Sequence, residues 1–251
     1  MRSTPPASPR WYVISLRPQG MHGPLRRVAR AAGLGVIPLS PWRIQQHDDP
    51  DTRAALRAAL AADATVFTSP AAVQAASRLA PLHGVRQAIG VGEGTAIALR
   101  GAGVAEVVHP ARMDSEGLLG LAALRDIAGR AVGLVTAPGG RGMIEPGLLS
   151  LGARVLRADV YARHPCSPST RARSLLHACA PLAVALSSGE ALRRLLDTVT
   201  EPERARLRTA RIVAGSERLG QLALELGFAD IVQAEGPRPA QLVAALNRDG
   251  G

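Results

Sequence analysis

The two halves of this 251-residue chain repeat each other, and the repeat constrains the fold more than any other feature of the sequence. Matching residues lie 119 to 124 positions apart. A duplicated unit of strands and helices produces such a nearly constant offset, so the repeat predicts two similar lobes. The matching pairs of segments are 16–20 and 136–140, 33–36 and 152–155, 68–70 and 187–189, 89–92 and 212–215, and 106–108 and 230–232.

Each half alternates short apolar runs with alanine- and leucine-rich segments of helical period. The apolar runs end in glycine, serine, threonine or proline, which is typical of strands in parallel α/β sheets. We therefore predict an α/β fold of two similar lobes, with parallel sheets flanked by helices, two extended connectors and a cleft between the lobes. The predicted strands include 12–16, 65–68, 88–91, 131–135, 182–186 and 211–214, and the predicted helices include 71–79 and 190–196.

The basic residues narrow the chemistry, because all 30 of them are arginine and the formal net charge is +10. A chain without lysine has no phosphate-loop lysine, no Schiff-base lysine and no pyridoxal-phosphate lysine. Arginine presents a planar fork of donors that suits carboxylates and phosphates, so the composition favours an anionic ligand. Aromatic residues make up only 2% of the chain, which disfavours nucleic-acid binding by base stacking.

Two cysteines, Cys166 and Cys179, and six scattered histidines fit neither a disulfide framework nor a metal site. No apolar run approaches the length of a membrane helix. Residues 1–10 carry arginine and three prolines without an apolar core, so we predict a disordered tail there and no signal peptide. We expect a cytoplasmic protein that binds no metal and no membrane.

The glycine-rich turn at residues 90–94 follows a predicted strand and precedes a predicted helix. Thr95 stands where a dinucleotide-binding fingerprint requires its third glycine, so cofactor binding is disfavoured. A tight turn alone explains the glycines. Exposed amides at the helix start, helped by the Thr95 hydroxyl, would also hold a carboxylate, and both interpretations stay open.

Hydroxyl residues precede two predicted helices, in the segments 68–70 and 187–189, and Ser115 stands at a third helix start. Such residues cap helices, and capping alone would account for them. Tyr161 is one of only two tyrosines and lies in a predicted connector, off the core face. The alternative is a packing aromatic like Trp42, its partner in the repeat. The spacing of residues reveals no catalytic triad or pair of carboxylates.

With these segments in view, the chain resembles the uroporphyrinogen-III synthase family from about residue 11 onward. The order and spacing of six pieces carry the resemblance. The pieces are residues 14–18 (ISLRP), 66–73 (VFTSPAAV), 90–96 (GVGEGTA), 114–119 (DSEGLL), 158–161 (ADVY) and 186–189 (LSSG).

The resemblance implies lobes built from non-contiguous chain, with residues 11–39 and 167–251 in one lobe and 47–157 in the other. Residues 40–46 and 158–166 are then the connectors. It also implies a cyclising lyase of haem and sirohaem biosynthesis that needs no cofactor. Hydroxymethylbilane, a linear tetrapyrrole, loses its terminal hydroxyl and closes into uroporphyrinogen III with the last pyrrole ring inverted. This substrate is a flexible polyanion, which arginines and helix-start amides would fold.

By the same resemblance, Tyr161 is the catalytic candidate, a proton or hydrogen-bond donor to the departing hydroxyl. The pyrrole nitrogens themselves push this hydroxyl out, so we expect positioning to be the main contribution of the protein. Arg17 and Arg141 are the implied carboxylate partners. The other implied substrate-binding residues are Thr68, Ser69, Gly92, Thr95, Ser115, Ser187, Ser188 and Ser216.

The expected partners are the tetrapyrrole substrate and, transiently, the enzyme that supplies it. A monomer is expected, with no nucleic acid or membrane bound. A two-lobed binding protein for a small anion or effector would use the same fold without chemistry, although the missing secretion signal and DNA-binding helix pair count against it. A nucleotide-sugar transferase is disfavoured because no histidine or acidic pair is placed to act as a base.

Overall fold

A computed structural model describes residues 9–112, 115–139 and 142–248 of the chain, and for Ser115 it describes the backbone alone. The chain divides into two compact units. The first unit comprises Met1–Arg43 with His164–Gly251, and the second unit is Ile44–Arg163. The first unit is therefore built from both ends of the sequence, and the second from the middle.

Strands and helices follow one another through both units of the described chain, mostly in alternation. The strands are β1 (Tyr12–Ser15), β2 (Gly35–Pro38), β3 (Trp42–Gln46), β4 (Ala64–Phe67), β5 (Ala88–Gly90), β6 (Val107–Val108), β7 (Ala131–Thr136), β8 (Arg154–Asp159), β9 (Tyr161–Pro165), β10 (Leu182–Leu186), β11 (Arg211–Ala214) and β12 (Ile231–Gln233). The helices are α1 (Gly23–Ala31), α2 (Pro50–Leu60), α3 (Pro70–Leu79), α4 (Glu93–Gly101), α5 (Ser115–Leu119), α6 (Ile144–Ser150), α7 (Thr170–Ala178), α8 (Gly189–Thr198), α9 (Glu201–Arg208), α10 (Glu217–Glu225) and α11 (Pro239–Arg248). Among the described residues, no helix has the length and apolar character that crossing a membrane requires.

Each unit contains one five-stranded sheet, and the two sheets have equivalent topologies. The first unit orders its strands β12-β11-β10-β1-β2, and the second orders them β6-β5-β4-β7-β8. All neighbouring strands in both sheets are parallel. Strands that match in the sequence repeat, such as β1 and β7, occupy the same place in the two sheets. The predicted α/β class, with two similar lobes and parallel sheets flanked by helices, is confirmed.

The sheet of the first unit is buried on both faces, as expected for parallel strands covered by helices. Successive residues of a strand point to opposite faces. Along β10, Leu182, Val184 and Leu186 belong to one hydrophobic cluster, while Ala183 and Ala185 belong to the cluster on the other face. β10 therefore presents large side chains to the helices on one face of the sheet and alanines to the helices on the other face.

The repeat also extends to the backbone of the turns. Gly33 follows α1 with φ of 69°, and Gly152 follows α6 with φ of 81°. This left-handed conformation is readily adopted only by glycine, and it ends a helix so that the next strand can begin. The strand after each of these helices pairs with the strand before it, β2 with β1 and β8 with β7. The glycines keep these connections short.

Residues predicted as connectors include two further strands. β3 and β9 pair with each other in a two-stranded sheet. The division between the two units falls within these strands, after Arg43 and after Arg163. The chain therefore crosses from one unit to the other in hydrogen-bonded strands.

Candidate functional site

Three neighbouring strands of the second unit end at the same edge of its sheet. β5, β4 and β7 are adjacent in the order given above, and parallel strands place their carboxyl ends together. Thr68 follows β4, and its Oγ1 lies 2.8 Å from Oγ1 of Thr136, the last residue of β7. The predicted site residue Thr68 is thus held at this edge by a neighbouring threonine.

Ser69 and Tyr161 form a pair of hydroxyls at the start of α3. Ser69 Oγ lies 3.0 Å from Tyr161 Oη and accepts a hydrogen bond of 3.0 Å from the backbone amide of Ala72. A serine hydroxyl has one proton to donate and two lone pairs to accept with. With one lone pair used by the helix amide, Ser69 can donate its proton to Tyr161. Tyr161 then keeps its own proton for another acceptor.

Tyr161 is buried, with 2% of its surface exposed, so the expectation that it lies off the core face is wrong. It is the first residue of β9, and the later residues on the same face of the strand, Arg163 and Pro165, are exposed. Burial on this face is therefore confined to the start of the strand, where Tyr161 lies. Trp42, its partner in the repeat, is likewise buried at the start of β3.

The glycine-rich turn leads into α4, whose first amides are not capped by a side chain. Gly92 is the extended residue before the helix and has no side chain to cap it. Gly94 lies next to the start of α3, since a Cβ built on it would be 3.9 Å from Pro70 Cγ. The first turns of the two helices, each with the positive end of a helix dipole, therefore lie side by side.

Thr95 lies in the first turn of α4 and is 97% buried, with 3% of its surface exposed. Its hydroxyl has no hydrogen-bond partner among the described residues. Every fully buried side-chain oxygen or nitrogen among these residues does have a partner. The Thr95 oxygen is therefore not fully buried and keeps a small opening to solvent. A helix start with uncapped amides and a free hydroxyl can hold a carboxylate.

The equivalent edge of the first unit carries the other predicted hydroxyls. Ser188 precedes α8 and accepts a 3.3 Å hydrogen bond from the amide of Ala191. Ser187 precedes it directly after β10, and Ser216 precedes α10 in extended conformation without capping it. β10 and β11 are neighbours, with Leu186 paired to Ala214, so these three serines follow adjacent strand ends.

Arg17 lies at the same edge, two residues after the end of β1. In the described part of the chain its guanidinium has neither an ion pair nor a hydrogen bond. The side chain is exposed, while nearby protein atoms lower its pKa by desolvation. An arginine remains charged at neutral pH, so Arg17 presents an unneutralised fork of donors.

A buried histidine at this edge was not predicted. His22 is 4% exposed, and both ring nitrogens are bonded: Nδ1 lies 2.8 Å from Ser15 Oγ and Nε2 lies 2.9 Å from Ser40 Oγ. Desolvation, followed by the charges of Arg26 and Arg17, lowers the pKa of His22 from 6.5 to about 4. The ring is therefore neutral at physiological pH.

Two predicted site residues remain without a described side chain. Arg141 lies outside the described residues, and Ser115 is placed only as the first residue of α5. Among the residues that are described, no group of three or more histidine, cysteine, aspartate or glutamate side chains could hold a metal ion.

The chain is similar in sequence to known bacterial enzymes. It is 31% identical to the uroporphyrinogen-III synthase of Escherichia coli and 32% identical to that of Salmonella typhimurium. Each match covers 62% of this chain and 65% of the relative. The chain thus spans just under two thirds of the length of the curated relatives it matches.

Solved structures and a family model extend the comparison. A mutant uroporphyrinogen III synthase from Thermus thermophilus matches with a TM-score of 0.58 at 18% identity, over 94% of this chain and 97% of that one. The uroporphyrinogen-III synthetase from Helicobacter pylori matches with a TM-score of 0.61 at 15% identity, over 95% and 98%. Such identities show a shared fold alone. The family model described as uroporphyrinogen-III synthase HemD matches residues 24–244, which is most of the sequence. The chain belongs to the uroporphyrinogen-III synthase family.

Proposed function

We propose that this protein is a uroporphyrinogen-III synthase. It would close hydroxymethylbilane into uroporphyrinogen III, with loss of water and inversion of the last pyrrole ring. Membership of the family supports this activity, and the hydroxyl pair of Ser69 and Tyr161 beside two helix starts is the observation in the structure that fits it best.

The chemistry follows from these groups. In the proposed step Tyr161 donates its proton, or a hydrogen bond, to the terminal hydroxyl of the substrate as this hydroxyl leaves as water. The lone pair of the adjacent pyrrole nitrogen takes up the positive charge as the C–O bond breaks. The resulting cation bonds to the substituted carbon of the last ring, and the bridging bond already on that carbon breaks and re-forms at the free α carbon, so that the ring is inverted. The proton lost from this α carbon restores the phenol of Tyr161. Ser69 would support this role by donating to Tyr161 Oη and so turning the phenolic proton outward.

Binding of the substrate is proposed to use the positive groups at the two sheet edges. A carboxylate at the starts of α3 and α4 would meet the amide of Gly94 and the hydroxyl of Thr95. Arg17 would bind a second carboxylate with its guanidinium, which forms no ion pair with any described residue. Since Tyr161 is buried, its hydroxyl would reach the substrate only after the groups covering it are displaced.

We also propose that the reaction needs no cofactor. Loss of water and formation of the ring-closing bond involve no net oxidation or reduction, so neither a redox group nor an electron carrier is required. A cytoplasmic location is proposed on the basis that Cys166 and Cys179 are both free thiols, which suits a reducing compartment.

Separation of the product isomers tests the proposed activity. Hydroxymethylbilane closes spontaneously to the symmetric type I isomer, whereas the proposed enzyme yields type III. We expect the purified protein to give type III as the main product. Formation of type I alone, at the spontaneous rate, would rule out the synthase and leave a binding protein as the alternative.

A matched pair of variants tests the site. Ser69 and Ser169 both cap helices, through hydrogen bonds to the amides of Ala72 and Ala172. Ser69→Ala and Ser169→Ala are each expected to lower the free energy of unfolding by about 1 kcal/mol, the usual cost of a lost cap. Only Ser69→Ala should also lower kcat, by about threefold to tenfold, because it removes the hydrogen bond to Tyr161. Equal activities of the two variants at equal folded concentration would contradict a role for Ser69 in the reaction.

A further inference from the structure

His22 joins the ends of two neighbouring strands. Ser15 is the last residue of β1, and Ser40 lies two residues beyond β2, with Ser15 paired to Pro38 in the sheet. Both serines are buried, with 1% and 7% of their surfaces exposed. A neutral imidazole donates through one nitrogen and accepts through the other, so it satisfies one serine as acceptor and the other as donor.

The same histidine closes the loop that carries Arg17. Residues 16–21 connect β1 to His22, and the bond from His22 to Ser15 fixes both ends of this loop. Its middle is held by the amide of Gln19, which donates to the carbonyl of Trp42 at 2.8 Å. Arg17 lies between these two attachments, so its backbone position depends on them.

Positive charge lies around this loop, and none of the described acidic residues pairs with it. Arg17 and Arg26 both act electrostatically on His22. Within the described residues neither arginine forms an ion pair, unlike Arg157, which pairs with Glu145 and Asp159. Unpaired guanidinium groups next to a rigid loop suit an anionic ligand.

We propose that His22, through its hydrogen bonds to Ser15 and Ser40, is a positioning residue that holds the loop of Arg17 in the conformation that binds a carboxylate of the substrate. His22 does not contact the substrate itself in this proposal. The identity of the ligand rests on the proposed function, whereas the fixing of the loop does not.

Three variants and their combination test this proposal. His22→Leu fills the space without hydrogen bonds, His22→Gln offers an amide that can both donate and accept, and Arg17→Ala removes the carboxylate partner. We expect His22→Leu and Arg17→Ala each to raise KM for hydroxymethylbilane about tenfold with little change in kcat, the effect of one charged hydrogen bond. His22→Gln should largely restore KM, and the double variant of His22→Leu with Arg17→Ala should be no worse than Arg17→Ala alone. Additive effects of the two changes, or an unchanged KM in His22→Leu, would overturn the proposal.

Two further measurements keep the result independent of turnover. The affinity for uroporphyrin, a polycarboxylate measured by fluorescence, should weaken in the same variants by the same factor, even if the protein makes no type III product. Hydrogen exchange at the Gln19 amide should become faster in His22→Leu but not in Arg17→Ala. Unchanged exchange in His22→Leu would contradict the fixing of the loop.

A separate control measures what a loss of stability alone does to KM and to the affinity for uroporphyrin. Thr65 lies in the second unit, is fully buried and donates a hydrogen bond of 3.0 Å to the carbonyl of Ala59 in the same unit. Thr65→Val should destabilise the protein without changing KM or the affinity for uroporphyrin. If His22→Leu fails to fold, Ser40→Ala removes one of the two bonds and should raise KM in the same direction by a smaller factor. An unchanged KM in folded Ser40→Ala would then count against the proposal.

Discussion

Tyr161→Phe is expected to lower kcat for the closure of hydroxymethylbilane by about 10- to 100-fold and to leave KM and the fold almost unchanged. This range lies at or below the lower limit of about 100-fold for general acid catalysis, because the pyrrole nitrogen already drives the hydroxyl out. Phenylalanine keeps the buried ring of Tyr161 and removes only the oxygen that lies 3.0 Å from Ser69. Initial rates of product formation at saturating substrate measure the effect.

Tyr12→Phe is the matched control for this variant, since Tyr12 is the other tyrosine of the chain and lies in β1. Tyr12→Phe also removes a phenolic oxygen, but from a tyrosine in the first unit. We expect Tyr12→Phe to retain the kcat of the unsubstituted protein. If both variants turned over at the rate of the unsubstituted protein, Tyr161 would have no part in proton donation.

Acidification is expected to weaken the fold through His22. The pKa of this residue is about 4 in the folded protein and 6.5 ordinarily. Between these pH values the unfolded chain binds a proton that the folded chain does not bind. The stabilisation is complete above pH 6.5 and is lost as the pH falls from 6.5 towards 4. It amounts to roughly 3 kcal/mol, from the free energy of 1.36 kcal/mol per pKa unit.

Urea unfolding of the unsubstituted protein and of His22→Gln measures this contribution. Glutamine does not titrate, so the difference between the two proteins removes the effects of other groups such as Glu203. The free energy of unfolding of the unsubstituted protein minus that of His22→Gln should be larger at pH 7.5 than at pH 4.5. A difference that stays constant over this pH range would show that His22 titrates normally.

The parallel sheets could be predicted because their strands leave a local pattern. β10 is a run of five apolar residues between Pro181 and Ser187, and a strand buried on both faces requires such a run. The pairing of β3 with β9 leaves no such pattern. Its strands, WRIQQ and YARHP, mix polar with apolar residues, and they are far apart in the sequence. Only their position in the folded chain brings them together.

In the candidate site too, contacts between neighbours in the sequence could be predicted and contacts between distant residues could not. Ser69 and Ser188 could be predicted as helix caps because the capping residue and its helix are contiguous. His22 could not, since its partners lie 7 and 18 residues away and meet it only when β1 pairs with β2. A serine at the end of one apolar strand and another just beyond its neighbour are the only sequence signal. The roles of Tyr161, Arg17 and the other site residues stay predictions, as do the lobe boundaries and the contribution of Arg141.

The isomer composition of the product at increasing protein concentration decides whether this protein is a synthase. Spontaneous closure to type I competes with the catalysed route, so each increase in protein should raise the fraction of type III. We expect this fraction to approach completeness at saturating protein, and to require more protein when Tyr161→Phe or Ser69→Ala is used. A type I fraction that stays at its spontaneous value at every concentration of folded protein would show that the protein does not catalyse the closure.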